Sequence, residues 1–402
     1  MVNNSHHNLS TRTTYIHLLS QSYKYFLLLI SKHYQISMAS LKSLIISYIT
    51  LLSLFHFEFS NADVKGGYWS PDNGLDASDI DSTLFTHLFC AFANLNLDTY
   101  QLTIPSSECE TFPQTIRQKN SAVMAILSIG GGDAKSSDFN NMASQPSSRK
   151  AFIDSSISLA KDNGYDGLDL DWEQQTNIDE MNNMATLLNE WRAAIKAQAP
   201  NLILTAALRF TPNISEGVSF PADAISANLD WVNVMAYDFY APGWVQPPYV
   251  TEPHAALFDP TGNDVSGSSG IAAWIKAGVP ANKLVLGVPF YGHAWQLVDP
   301  NNNGILAPAT NFNDTLVKDG TPSYTEIKDF ISQNDATVEY DSSYVTNYCY
   351  SGTTWVAFDD TQAIATKVAY AKSNALNGYF AWQINQDLDW ALSKQASQTW
   401  GS

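Results

Sequence analysis

Several things are scarce in this 402-residue chain, and each scarcity narrows its chemistry. Basic residues number 21 against 39 acidic ones, for a net charge of −18. A nucleic-acid backbone binder needs the opposite balance. Charged residues make up only 15% and hydrophobic residues 45%, so the chain carries a large core and does not read as disordered. Cysteines number three, with no C-x-x-C pair. They are too few to staple a small disulfide scaffold, and their spacing does not suggest zinc. No G-x-G-x-x-G follows the first strand-like run, which counts against a dinucleotide fold. Aromatic residues are plentiful by contrast, with 11 Trp and 19 Tyr.

Residues 1–62 differ from the rest. They hold four basic residues, one acid and five of the eight histidines. Without them the balance is 17 basic to 38 acidic residues, a net −21. Met38 opens a stretch that reads as a secretory leader over 38–62. Lys42 supplies the positive start, 44–55 the apolar core, and Ser60-Asn61-Ala62 the small residues before a cleavage point. The apolar run is shorter than the ~20 residues of a spanning helix, and a membrane anchor is the competing reading. Residues 1–37 are expected to precede the true start. Two acceptor sequons, at Asn213 and Asn313, agree with secretion but arise often by chance. Three cysteines in an oxidising compartment allow one pair and one buried thiol; Cys90, in an apolar run, is expected in the core.

From Asp63 onward short apolar runs alternate with amphipathic stretches. Strands are expected at 64–69, 85–92, 122–129, 165–172, 202–208, 231–237, 284–289 and 378–382. Helical patterns over 150–163, 178–198, 270–277 and 361–374 lie between several of them. Eight strand–helix units predict an α/β fold, a (β/α)8 TIM barrel, with a doubly wound sheet as runner-up. The barrel is expected over 63–291 plus 359–402. The interval 292–358 is too long for a structureless loop and contains strand-like and helix-like runs. We therefore expect a small α+β insertion after the seventh strand.

The chemistry gathers at the end of the fourth strand, Tyr165-Asp166-Gly167-Leu168-Asp169-Leu170-Asp171-Trp172-Glu173. Side chains alternate on a strand, so Asp169, Asp171 and Glu173 share one face and Leu168, Leu170 and Trp172 the other. In a barrel the acids then face inward and run toward the C-terminal mouth, where such barrels place their active sites. Asp166 is out of phase and expected to be structural. A solvated acidic edge is disfavoured by the apolar alternate positions. A calcium loop fails because its sixth position would be Gln174, not glycine. Stacked carboxylates ending in a glutamate suit glycosidic cleavage, in which a proton-holding acid protonates the leaving oxygen.

The segment 166–173 resembles the D-G-x-D-x-D-W-E signature of family 18 glycoside hydrolases. Ser128-Ile129-Gly130-Gly131 is similar to the family's S-x-G-G, and Met235-Ala236-Tyr237-Asp238 to its M-x-Y-D. The wording around them resembles the plant class V chitinases. The resemblance implies hydrolysis of β-1,4-linked N-acetylglucosamine polymers with retention, the sugar's own acetamido group displacing the leaving group. It implies Glu173 as acid and then base, Asp171 orienting the acetamido N–H, Asp169 sharing a proton behind it, and Tyr237 bonding the acetamido oxygen. Trp382 is placed under the reactive sugar, with Met235, Asp238, Tyr68 and Phe92 as further substrate contacts. Strand alternation puts Met235 and Tyr237 on one face but leaves Asp238 out of phase. Tyr291, Trp244 and Trp295 are weaker candidates for outer subsites. Where many bacterial and animal members carry a tryptophan after the glycine pair, Gly132 and Asp133 stand here.

No cofactor is implied, and only His87, His254 and His293 follow the leader, so no histidine-rich metal centre is expected. The expected partners are chitin or N-acetylglucosamine oligomers, with no nucleic acid, no membrane once the leader is removed, and a monomeric enzyme, secreted to the cell exterior or the vacuole. Two alternatives stay open. One is a chitin-binding lectin that has lost catalysis. The other is a hydrolase of another N-acetylglucosamine glycan, such as lipochitooligosaccharide signals.

Overall fold

The computed structural model describes residues 63–401, apart from 72, 245, 311–315 and 317–319. The leader over 38–62, the upstream segment and the Asn313 sequon lie outside the described residues.

Eight parallel strands close on themselves. They are β1 (Val64–Trp69), β2 (His87–Leu95), β3 (Met124–Gly130), β4 (Gly167–Asp171), β5 (Ile203–Arg209), β6 (Trp231–Met235) and β7 (Leu284–Pro289), with Gly378–Trp382 as the last. Each pairs with its sequence neighbour, and the last strand pairs with both β7 and β1, which in turn pairs with β2. No barrel edge is left open, so every inner side chain lies in an enclosed column.

The period-2 pattern explains the two cores. One set of strand side chains packs outward against the helices: Leu88, Leu127, Leu168, Leu170, Leu204, Val232 and Leu286 join Phe152, Leu187, Trp191 and Val368 in one continuous cluster. The alternate set packs inside the barrel, where Val64, Tyr68, Phe89, Ile126, Trp231, Val285 and Phe380 form a second cluster. Helix boundaries follow their capping chemistry. Ile178–Gln198 starts on a capping box in which Asn177 and Glu180 bond each other's backbone N–H groups. Pro146–Asn163 stops at Gly164 in the left-handed region. Asp166, at the start of β4, accepts from the Ala125 N–H at 2.7 Å and pairs with Arg117, a structural role at the end opposite the acids.

The insertion lies between β7 and the last barrel strand. It holds β8 (His293–Leu297), β9 (Ala309–Thr310), β10 (Thr337–Asp341), β11 (Thr346–Ser351) and β12 (Thr354–Phe358), an antiparallel sheet in the order β9-β8-β12-β11-β10, with one helix, Tyr324–Asn334. The last barrel strand is hence β13. Sequence patterning foresaw the helix, β10 and β12 but not the other three strands. Those mix polar and aromatic residues, as in Thr346-Asn347-Tyr348-Cys349-Tyr350-Ser351, so no clean alternation marks them.

Cys90 and Cys109 form a disulfide, and Cys349 is a buried free thiol. Among the described residues no helix is long and apolar enough to cross a membrane.

Candidate active site

The acids of β4 stand where alternation places them. Asp169 and Asp171 are buried inside the barrel, whereas Leu168, Leu170 and Trp172 belong to the outer cluster. Register supplies Asp169 with partners. Ser128 on β3 and Thr205 on β5 are its lateral neighbours. Their hydroxyls donate to it, Ser128 to Oδ2 at 2.7 Å and Thr205 to Oδ1 at 2.6 Å. The Tyr68 hydroxyl donates to Oδ2 at 2.8 Å and itself accepts from Asn233 Nδ2 at 2.8 Å. Burial still pushes the Asp169 carboxyl above its ordinary range, although these three donors pull the other way.

Asp171 has no such support. Its Oδ1 is buried without a partner. Burial first, then the charges of Glu173 and Asp169, hold its carboxyl well above the usual range. Glu173 lies two residues past the strand, half-exposed in the mouth. Burial, and then the charges of Asp238 and Asp133, raise it to about 7. The acids therefore titrate as a set, each carboxyl raised above its ordinary range by burial first.

The loop from β3 leaves room for this column. Gly130 has φ +112°, and an added Cβ would stand 2.1 Å from the Asp171 carbonyl oxygen. Gly131, at φ +88°, donates its N–H to that same oxygen at 2.8 Å, and a Cβ there would strike the Phe92 ring. Gly132 lies alongside Glu173: its missing Cβ would come 3.3 Å from Oε1.

β6 ends at Met235, earlier than the expected 237. Tyr237 and Asp238 thus lie beyond the strand, and alternation does not govern them. Asp238 adopts φ +59°, which turns its side chain back to the site and removes the out-of-phase objection. Its Oδ1 accepts from the Tyr291 hydroxyl at 2.6 Å and bonds His293 Nε2 at 2.8 Å. Burial works to raise its carboxyl, but His254 first and then His293 hold it far below the usual range. Glu173, Met235, Tyr237, Asp238 and Trp244 line one cleft of about 570 Å³.

Trp382 closes β13 and faces the barrel mouth. Phe92 stacks on it at 5.6 Å between centroids. Two expectations need correction. Tyr68 is 1% exposed, its hydroxyl committed to Asp169, so it supports the acids from beneath and offers no face to a sugar. Trp295 is fully buried in the insertion's own core with Trp355, and so forms no outer subsite. Tyr291 is also buried, against Asp238, whereas Trp244 is 65% exposed on the cleft.

Sequence reasoning missed Thr205, Asn233, His254 and His293. Thr205 and Asn233 were findable as inward polar positions on apolar strands. His293 stands in the insertion, remote in sequence from every recognised motif.

A closed parallel barrel with a buried acid column at its C-terminal mouth defines a glycosidase-type site. Residues 65–387 match the family described as Glycosyl hydrolases family 18, and the chain belongs to that family. It is 47% identical to a class V chitinase of Arabidopsis thaliana over 372 residues, 90% of this chain and 96% of that protein. The solved class V chitinase of Nicotiana tobaccum, also known as a mutant in complex with NAG4, is 51% identical, with TM-score 0.81 over 85% of this chain and 99% of its own. A chitinase-like agglutinin of Robinia pseudoacacia is 49% identical, with TM-score 0.77 over 84% of this chain and all of its own.

Proposed function

We propose that the protein is a secreted chitinase that cleaves β-1,4 bonds between N-acetylglucosamine units with retention. One observation carries this reading: Glu173, its carboxyl raised to about 7, stands in a cleft beside two buried aspartates, Asp171 with its carboxyl held well above the ordinary range and Asp169 bound by three donating hydroxyls. Glu173 gives its proton to the glycosidic oxygen as the bond to the anomeric carbon breaks. The acetamido carbonyl oxygen of the same sugar attacks that carbon and forms an oxazolinium ion. Water then adds at the anomeric carbon, giving its proton back to Glu173, and the ring reopens.

The remaining roles follow from placement. The orphaned Oδ1 of Asp171 is a ready acceptor for the acetamido N–H, and its developing negative charge offsets the oxazolinium. Asp169, held by three hydroxyls, shares the proton that Asp171 gives up. The buried Tyr237 hydroxyl is the donor for the acetamido oxygen. Trp382 forms the floor under the reactive sugar, with Phe92 bracing its ring, and Met235 and Asp238 flank the cleft. The chain works as a single copy, its barrel over 63–291 plus 359–402 and the insertion over 292–358. The leader read at 38–62 fits the Cys90–Cys109 disulfide, since such bonds persist in oxidising compartments.

The test is a product time course on chitin oligomers of defined length, with the anomer recorded. A first-formed β-anomer is expected, and an α-anomer overturns the acetamido displacement. Oligomer binding without any product would move the protein to the lectin class.

A further inference from the structure

Beside the acid column lies a cluster that the proposed chemistry uses only in part. Asp238, His254 and His293 each offer a ligand atom, and the three atoms lie within 4.8 Å of one another. They come from three separate segments: the turn after β6, the loop before the helix Gly267–Ala277, and the start of β8. Two of the three histidines that follow residue 62 therefore meet at one carboxylate.

His254 is the unexplained member. It is 1% exposed, yet neither ring nitrogen has a hydrogen-bond partner. Its Nδ1 stands 3.6 Å from Asp238 Oδ1, an ion-pair distance when the ring is protonated but longer than a hydrogen bond. A buried polar atom without a partner is destabilising, so a histidine with two calls for a reason. The ring is also held rigidly. It packs on Tyr291 at 5.1 Å and on His293 at 4.8 Å, and its own carbonyl oxygen accepts the Phe239 N–H at 2.9 Å. A buried cation on the neighbouring side, Lys367, is paired with Asp359.

We propose that Asp238, His254 and His293 form a binding site for a borderline divalent cation, Zn2+ or Cu2+, and that its occupation inhibits the enzyme. Two imidazoles and one carboxylate suit such ions and not Ca2+ or Mg2+, which take oxygen ligands. Ligands about 2.0–2.2 Å from a tetrahedral Zn2+ lie roughly 3.3 Å apart, so from 4.8 Å the cluster contracts by about 1.5 Å at its widest. The cation replaces the proton between His293 Nε2 and Asp238 Oδ1, and that proton leaves to solvent. His254 gains the partner it lacks. Asp238 is drawn off the cleft and its charge is neutralised beside Glu173.

The test uses Co2+ as a visible-absorbing stand-in for Zn2+, with the full chain and its His254→Phe variant, which keeps the ring packing. Any other histidine is common to both proteins, so the difference between them is what is read. The wild type should bind one more Co2+ than the variant, with visible bands that Zn2+ abolishes and millimolar Ca2+ or Mg2+ does not. Micromolar Zn2+ should lower oligomer hydrolysis at least tenfold, reversibly with a chelator, and leave the variant's residual turnover unchanged. Equal Co2+ stoichiometry in the two proteins, or equal Zn2+ inhibition, overturns the site. If His254→Phe does not fold, His293→Gln takes its place with the same readout. The cobalt difference stands independently of turnover, so an inactive wild type would sink the chitinase reading without deciding this one.

Discussion

The two faces of β4 are built from alternate residues of one five-residue strand, and they obey opposite rules. Leu168 and Leu170 face the helices, fully buried among carbon atoms, and contribute by leaving water and filling space. Asp169 and Asp171 face the barrel axis, equally buried, where desolvation works against them. The inner face survives because neighbouring strands bring hydroxyls in register to one acid, while the other keeps its proton. Stability is concentrated on the outer face and chemistry on the inner one. A single strand can hold both because its side chains alternate.

This contrast can be broken most sharply at its top. Glu173→Gln should lower kcat on chitin oligomers by about 10²–10⁴-fold while the protein stays folded; turnover near wild type would end the case for this glutamate. Next comes Tyr237→Phe, which removes one hydroxyl and nothing else. A loss of about 10²-fold in kcat is expected if its hydroxyl is the donor proposed for the acetamido oxygen. A change in KM alone would reassign Tyr237 to binding. On the opposite face, Leu170→Ala should cost about 2–5 kcal/mol of unfolding free energy in a denaturant titration. Turnover per folded molecule should be unchanged, and a matching loss of kcat would erase the division between the faces.

pH sharpens the comparison further. The acid role proposed for Glu173 needs its proton, so kcat/KM should fall as pH rises through about 7. The same proton carries a sign for stability. The folded state holds it to about 7, against an ordinary value of 4.5, so its contribution is full below 4.5 and is lost as pH rises through 7. Glu173→Gln, which cannot ionise, should gain in melting temperature relative to wild type between pH 5 and 8. A constant difference across that range would mean that Glu173 is not strained by its burial. The smallest effect belongs to the disulfide. Cys90→Ala/Cys109→Ala opens a loop of 19 residues and should cost about 3 kcal/mol, with kcat on chitin oligomers unaffected.

Much of this was readable before any coordinates. The eight runs of 64–69 through 378–382 each became a barrel strand, because buried parallel strands are continuous and apolar. The inward set of Asp169 and Asp171 followed from a period of two. Asp238 shows where such reading stops. Counting from Met235 put it out of phase, yet the strand ends at 235 and a left-handed residue turns it inward. Tyr68 and Trp295 show the converse. Both carry the aromatic chemistry of a sugar platform, but their burial is decided by which segments fold over them.

The sequence alone determined the barrel, the position of the acid column and the family motifs, because these depend on local periodicity and on residues adjacent in the chain. Only the tertiary structure decided what surrounds each acid. Ser128, Thr205 and Tyr68 reach Asp169 across 41, 36 and 101 residues. Tyr291 and His293 reach Asp238 across more than 50. Closing the barrel and folding the insertion bring these groups within hydrogen-bond distance, and no local pattern records that meeting. The electrostatics of the site, and with it which carboxyl keeps its proton, is a property of that convergence.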